Sequence, residues 1–522
     1  MFVSKPHNLL VMRLRDPTEV LKTIPVAKPL LHKGAEFTVV PHKMPVFRLL
    51  RNMGLTPPHP VDTYYDWPIS PASGYKPLAA QKETVRFLTS HSRAYCLSGM
   101  GTGKTISSLW AFDFLRSQGD ARKLLVIAPL STLERVWGDE LFHHFRHLTV
   151  KVLHGSADKR RNLLAEPADV YIINHDGSKV IEDSLVSRQD LDTVIIDELS
   201  QVARNSGTKI WKALSKIIKG RERVWGMTGT PTPNEPTDAW GQARMITPST
   251  VPPYFSHFRD QVMRQTSVFT WVPRDNANEI AFKALQPAIR FKRDDCVDLP
   301  PVTFETRQVA LGRDQKAVYD SMLERLWAEY NGGEITAVNE AVKAMRLVQI
   351  CCGAATSPDG SVVFIPPKER VQVLLDIIEE SASKTIVFVP FKAALKSLHQ
   401  EVSKHYTAEM IYGEVSKSDR DRILGDFQTQ DHPQVLIAQP AAMSHGLTLT
   451  AASVIVWFAP VTSAETYEQA NARITRPGQI HNQLIVNIQG SALEHRMYNR
   501  LRSKVSMQGA LLEQFRNKTF NP

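Results

Sequence analysis

The octapeptide Ser98-Gly-Met-Gly-Thr-Gly-Lys-Thr105 constrains this chain more than any other stretch. It follows a short apolar run, Ala94–Leu97, and opens a helical pattern, Ile106–Leu115. Gly99, Gly101 and Gly103 let the backbone curl until its N–H groups face a phosphate, and the N-terminus of the following helix adds a favourable dipole. In such a loop Lys104 reaches the β- and γ-phosphates of a nucleotide, Thr102 helps to line the cradle, and the Thr105 hydroxyl is placed to hold Mg²⁺. Ser98 departs from the strict pattern, which has glycine there.

A phosphate loop of this kind needs a parallel sheet, and the flanking sequence supplies one. Short apolar runs alternate with helical patterns at Ala94–Leu97, Leu124–Ala128, Val170–Asn174, Thr193–Ile196 and Val224–Met227. The alternation resumes at Thr385–Val389, Met410–Tyr412, Val435–Ala438, Val454–Phe458 and Leu484–Ile488. Continuous apolar runs suit parallel strands covered on both faces, so two such series predict an α/β chain with two doubly wound lobes, 75–250 and 366–522. Residues 251–365 read as a helical and irregular connection, and 56–74, rich in proline and aromatics, as a linker. Residues 1–55 read as a small α+β module with strands Leu9–Leu14 and Glu36–Val40 and a helix Val46–Met53.

Composition narrows the class. At 522 residues the chain is too long for one ordinary domain, and Lys and Arg exceed Asp and Glu by 63 to 53, which suits a polyanionic partner. The cysteines, Cys96, Cys296, Cys351 and Cys352, lack C-x-x-C spacing and read as structural thiols of a reducing compartment. No apolar run approaches the ~20 residues of a membrane span, so a soluble, cytoplasmic protein is expected.

A second chemical signal is Asp197-Glu198, directly after the apolar run Thr193–Ile196. Carboxylates at a strand end in the same sheet as a phosphate loop can divide the work of hydrolysis. Asp197 would join the Mg²⁺ shell and Glu198 would polarise the attacking water.

From here the order of motifs resembles that of Swi/Snf-type ATPases of helicase superfamily 2. Gln81, in Tyr75-Lys-Pro-Leu-Ala-Ala-Gln81, is similar to the adenine-reading glutamine. Gly99–Thr105 resembles motif I, Ala128-Pro129-Leu130 motif Ia, and Asp197-Glu-Leu-Ser200 motif II, although DEAH is the commoner spelling there. Thr228-Gly-Thr-Pro231 with Asn234 resembles motif III, and Ser444-His-Gly446 with Leu447–Thr450 resembles motif V. Gln469-Ala-Asn-Ala-Arg-Ile-Thr-Arg-Pro-Gly-Gln479 closely resembles motif VI. Arg290–Arg293 with Leu299–Pro301, and Met345–Cys351, are fainter echoes, so the likeness covers about residues 75–505.

The resemblance implies two RecA-like doubly wound parallel-sheet lobes in tandem, ATP and Mg²⁺ as cofactors, and hydrolysis stimulated by nucleic acid. It assigns catalysis to Lys104, Asp197, Glu198, Arg473 and Arg476, the arginines acting on the γ-phosphate that Gln469 also senses. The implied partner is DNA, duplex or branched, tracked by a monomeric motor. An RNA helicase of the same superfamily and a nucleic-acid-binding scaffold with a weak ATPase are the rival readings. By position, Ser131, Thr132, Asn174, Arg204, Thr448 and Thr450 are candidate contacts to the nucleic-acid backbone. The module 1–55 carries nine Lys and Arg against Asp16, Glu19 and Glu36, and is expected to bind DNA or to pack against the first lobe.

Overall fold

In the computed structural model the chain divides into two units, Met1–Cys296 and Val297–Gly509. The structure describes residues 1–502 apart from 71–75, 268–269, 293–295, 297–298, 332–336, 357–361, 382, 444–447 and 477. Among the described residues no helix is long and apolar enough to cross a membrane.

The first unit begins with a small antiparallel sheet of strands β1 (Phe2–Ser4), β2 (Leu9–Met12), β3 (Lys28–His32) and β4 (Ala35–Pro41), in the order β1-β2-β4-β3. Helices Thr18–Thr23 and Met44–Asn52 cover one face, where Leu10, Met12 and Val40 meet Val20, Ile24, Val46 and Leu50. Two of these strands were not expected. β1 is only three residues long, and β3 is exposed throughout and carries Pro29, so neither has the alternation that marks a half-buried strand. The other side of the Met44–Asn52 helix places Met44 and Phe47 in the core of the following sheet. There Arg48 donates to the Thr89 carbonyl (2.7 Å) and to Asp120 Oδ2 (2.8 Å), which commits one of the module's cations to packing.

The main sheet of the unit contains β5 (Arg93–Cys96), β6 (Leu124–Ala128), β7 (Val150–Leu153), β8 (Val170–Asn174), β9 (Thr193–Ile196) and β10 (Arg223–Met227). A hairpin of β11 (Met263–Ser267) and β12 (Thr270–Pro273) precedes the edge strand β13 (Ala288–Ile289). The order is β13-β5-β10-β9-β6-β8-β7, parallel throughout. β7 and β13 escaped the sequence reading because one is a half-exposed V-K-V-L edge and the other spans two residues. β13 nevertheless sets a boundary. Its segment accepts hydrogen bonds from Tyr95, Leu97 and Gly99 through the carbonyls of Pro287, Ile289 and Phe291, so the stretch 251–365 is divided between the two units.

The described part of the expected linker, 56–70, packs on this unit. It forms a short helix, Pro60–Tyr64, and Tyr65 then donates to Asp113 Oδ2 (2.8 Å). Trp110 Nε1 donates to the Pro68 carbonyl (3.0 Å), and Trp67 stands edge-on to Trp110. Aromatic residues that read as loop punctuation are therefore anchors.

The second unit contains β14 (Val302–Gln308), an antiparallel pair β15 (Ala354–Thr356) and β16 (Val362–Phe364), then β17 (Lys384–Phe388), β18 (Ala408–Ile411), β19 (Val435–Ala438), β20 (Ala452–Trp457) and β21 (Gln483–Gln489). Its main sheet runs β14-β21-β20-β17-β19-β18, again all parallel, with apolar layers on both faces. Both units thus have the doubly wound architecture expected of RecA-like lobes. β14 was not expected, since V-T-F-E-T-R-Q is largely polar and lies at an edge.

A buried ion pair staples the second unit. Arg370, on the helix Lys368–Ser381, donates twice to Glu494, at 2.8 and 2.7 Å, with side-chain exposures of 2% and 0%. Glu494 also accepts the Gly490 N–H, and Arg370 donates to the Phe458 carbonyl. Glu494→Ala should lower the unfolding free energy by about 3–5 kcal/mol, because it strands a buried guanidinium, whereas the double change Arg370→Met/Glu494→Met should recover most of that loss. Thermal unfolding followed by circular dichroism distinguishes the two; equal losses would show that the pair, not the stranded charge, carries the stability.

Candidate nucleotide site

The phosphate loop leaves β5 and curls as glycine permits, with Gly101 at φ +75° and Gly103 at φ +78°. These left-handed positions cost L-residues about 1–2 kcal/mol each, which explains the glycines. Lys104 opens the helix Lys104–Ser117, and its Nζ donates to the carbonyls of Ser98 (2.9 Å) and Gly99 (3.0 Å). Thr102 closes the loop by donating to the Gly99 carbonyl (2.8 Å). Ser98 has a use that glycine could not serve: its Oγ accepts the Phe291 N–H (3.1 Å), tying the loop to the segment beyond β13.

Gln81 lies buried beneath the loop. Its Oε1 accepts the Leu78 N–H (2.9 Å) and its Nε2 donates to the Thr102 carbonyl (3.3 Å), so its amide supports the loop from below. Gly103 leaves no room for anything else, since a Cβ there would come within 2.0 Å of Gln81 Nε2.

Asp197 and Glu198 emerge at the C-terminal end of β9. The Asp197 carboxylate is buried, and that burial pushes its pKa up, against the opposing pull of Trp137, Lys104 and His175. Trp137 Nε1 donates to Asp197 Oδ2 (3.0 Å), and the Glu198 N–H donates to Oδ1 (3.0 Å). His175 Nε2 bonds the Asp197 carbonyl (2.9 Å). Glu198 sits at φ +47°, a left-handed conformation unusual for glutamate, at the start of the helix Leu199–Ala203. Trp137 was missed in the sequence reading. It belongs to a turn of π-helix, Leu133–Gly138, directly after the motif Ia segment, and such turns are frequent at functional sites.

Motif III follows β10 and reaches the same place. The hydroxyls of Ser200 and Thr228 share a buried hydrogen bond of 2.9 Å, and Thr228 Oγ1 accepts the Thr230 N–H (3.2 Å). A Cβ on Gly229 would lie 3.7 Å from the Ser98 carbonyl and 3.9 Å from Lys104 Nζ. Motifs I, II and III of the first unit therefore converge on one locus. The donors suit Mg²⁺: the Thr105 hydroxyl and the Asp197 carboxylate are hard oxygens, and a divalent cation would offset the burial of Asp197.

The remaining candidates are spread more widely. Ser131 is exposed, while Thr132 is buried and donates to the Pro129 carbonyl (2.9 Å). Asn174 Oδ1 accepts from Arg160 (2.9 Å), and Arg204 is half-buried beyond the motif II helix, near Asp238. In the second unit Thr448 is exposed and Thr450 Oγ1 accepts from Gln428 (3.1 Å). Ser444–Leu447 of motif V, Tyr75, Arg293 and Pro477 lie outside the described residues.

Motif VI is held by its own sheet. Asn471 Oδ1 accepts from Trp457 Nε1 of β20 (2.8 Å), and Gln479 Nε2 donates to the carbonyls of Ala452 (2.8 Å) and Ile474 (3.1 Å). Gln469 donates to Glu465 (3.1 Å). On this support Arg473 is buried and Arg476 half-buried, its Nε donating to the Ala472 carbonyl (3.3 Å).

Gly103→Ala should weaken binding of a fluorescent ADP analogue by at least roughly tenfold, because it combines left-handed strain with the Gln81 clash. Anisotropy titration measures this; unchanged affinity would mean that the loop is not the nucleotide cradle.

Comparison with known proteins places this geometry in a family. The SNF2-related domain matches residues 80–355 and the helicase conserved C-terminal domain residues 369–478. The chain is 28% identical to putative protein p41 of Acyrthosiphon pisum secondary endosymbiont phage 1, over 85% of this chain and 99% of that one. It is 23% identical to the putative ATP-dependent helicase/translocase YwqA of Bacillus subtilis, covering 85% of this chain and 49% of that one. It is 24% identical to the human DNA annealing helicase and endonuclease ZRANB3, covering 84% and 40%. The chain thus spans nearly all of the phage relative and less than half of the other two. Among solved structures, the Sulfolobus solfataricus SWI2/SNF2 ATPase core in complex with dsDNA aligns at 21% identity and a TM-score of 0.40, over 83% of this chain and 92% of that one. With the two domain models together spanning most of its length, the chain belongs to the SNF2-related family of superfamily 2 helicase-type ATPases.

Proposed function

We propose that this chain is an ATP-driven translocase that moves along or remodels duplex or branched DNA. The observation that carries the reading is the convergence of Lys104, Asp197–Glu198 and the motif III hydroxyls at the ends of β5, β9 and β10. Lys104 binds the β- and γ-phosphates once a nucleotide displaces its carbonyl partners. Thr105 and Asp197 hold Mg²⁺, whose charge eases phosphoryl transfer. Glu198, in its left-handed turn at the end of β9, orients and polarises the attacking water. Arg473 and Arg476 act in turnover, stabilising charge on the transferred phosphoryl group, with Gln469 beside them in sequence. Exposed Ser131 and Thr448 serve the nucleic-acid backbone. DNA as the track is supported by the human relative, a DNA annealing helicase and endonuclease, and the work is done by a single chain in the cytoplasm.

ATP turnover measured without nucleic acid and with duplex DNA, single-stranded DNA, branched DNA and RNA tests the reading. Stimulation should be strongest with duplex or branched DNA; strongest stimulation by RNA, or none by any of them, would overturn it. Lys104→Ala should abolish turnover while DNA binding persists. Arg476→Ala should lower kcat on the order of 10³-fold with nucleotide binding retained.

Trp137→Phe keeps a ring in place and deletes the donor to Asp197. The lost bond should cost about 1.5 kcal/mol in the transition state, roughly tenfold in kcat, with little change in the KM for ATP. A change confined to KM would instead place Trp137 in nucleotide binding.

A further inference from the structure

The N-terminal sheet has a second face that nothing in the catalytic account uses. Alternation and register place Phe2, Leu9, Val11, Phe37, Val39 and Leu30 on the side opposite the two helices: Phe2 pairs with Val11, Val11 with Val39, and Leu30 with Phe37. The residues between them, Val3, Leu10, Met12 and Val40, belong to the helix-covered core. Because the Met44–Asn52 helix packs its far side into the core of the main sheet, the apolar face is turned away from the rest of the first unit. Among the described residues Phe2 is 57% and Leu30 45% exposed, Phe37 and Val39 are partly so, and Val11 is buried between its neighbours.

Charge selects the occupant. Lys28 lies on this face beside Val39, and Arg13 directly follows the last residue of β2. Glu36, the one carboxylate among the four strands, points to the other face beside Leu31. Both cations are exposed. Two aromatic rings on a sheet face with exposed cations near it, and with no carboxylate from its own four strands, match what unpaired bases require: flat apolar surfaces for stacking and positive charge for the phosphates. A duplex offers its bases only at the edges, so the rings would have nothing to stack on.

We infer that the open face of β1–β4 is a binding platform for single-stranded DNA, with bases stacked on Phe2 and Phe37 and phosphates met by Arg13 and Lys28. The inference deepens the DNA reading above and rests on it for the choice of nucleic acid, while needing no ATP hydrolysis. A branched substrate, which exposes unpaired bases beside a duplex, would engage this face and the motor together.

The test uses the full chain and fluorescein-labelled oligodeoxythymidylate, an abasic strand of equal length and a blunt duplex, read by anisotropy. Wild type should bind oligodeoxythymidylate more tightly than the abasic strand. Phe2→Ala/Phe37→Ala should lose roughly tenfold or more of the first affinity and the preference between strands, with blunt-duplex binding and duplex-stimulated ATP turnover kept. Phe37→Leu, which preserves apolar volume, should show the same loss of preference in milder form. Arg13→Glu/Lys28→Glu should weaken both strands. Lys104→Ala should bind oligodeoxythymidylate like wild type, so that failure of the motor reading and failure of this one are separate results. Equal affinity of wild type and the double phenylalanine variant would overturn the inference. So would light scattering that finds a wild-type dimer and a monomeric variant, since the face would then join two copies of the chain.

Discussion

The carboxylate of Asp197 is buried, and much of the first unit is arranged around that fact. An uncompensated carboxylate in the interior costs several kcal/mol, so it must be met by donors and cations. Here the indole of Trp137 and the Glu198 N–H supply the hydrogen bonds, and Lys104 supplies the nearby charge. These groups come from separate pieces of chain: the segment after β6, the end of β9 and the loop after β5. The sheet order accounts for their meeting, because β9 lies directly between β6 and β10, with β5 next beyond. The upward push that burial gives Asp197 is the counterpart of its suitability as a metal ligand, since a divalent cation recovers what desolvation removes.

The unusual motif II spelling has a packing explanation in the same region. Leu199 fills the space over Gly226 of β10, where a Cβ would come within 2.6 Å of its Cδ2. Ser200 is fully buried and finds its partner in Thr228. Leucine therefore locks the motif II helix onto β10 by contact, and serine links motif II to motif III by a hydrogen bond between hydroxyls. Neither residue carries charge, so the coupling between the motifs is insensitive to salt. Loss of the Thr228 hydroxyl would take from Ser200 its buried partner, at about 1–3 kcal/mol, whereas Thr228 would still accept the Thr230 N–H if Ser200 lost its own.

What could be read from the sequence followed the strength of its local signals. Thr193–Ile196, Leu124–Ala128, Val170–Asn174 and Val435–Ala438 coincide with strands because fully buried parallel strands are apolar along their whole length. The phosphate loop was legible because glycine in left-handed conformations has no substitute. Edge strands such as β3 and β14 were not legible, since one or both of their faces meet solvent, and β13 was not because it spans only two residues; the pairing of all three is decided by distant chain. Trp137 carries no signal in its own stretch of sequence, and only the fold brings it to Asp197, 60 residues on. Gln81 was expected by resemblance to read adenine, and its amide contacts with Leu78 and Thr102 depend on helix capping that spacing alone does not reveal. The role of Ser98 likewise needed the distant Phe291.

The same economy of anchoring appears in the second unit. The segment that carries Arg473 and Arg476 is fastened by Trp457 through Asn471 and by Gln479 to the carbonyl that begins β20. These bonds are buried, and breaking one leaves an unsatisfied polar group in the interior at about 1–3 kcal/mol. In the first unit the phosphate loop is held as firmly by Phe291 and Gln81. Catalytic segments tied to their sheets at several points cannot wander independently at thermal energies, because each excursion must break more than one such bond. Within each unit these candidate catalytic segments are therefore held rigidly on their own sheet. Positioning on sheet ends rather than on free loops is also what catalysis demands, since misplacement of a reacting group by an ångström costs about 10²-fold.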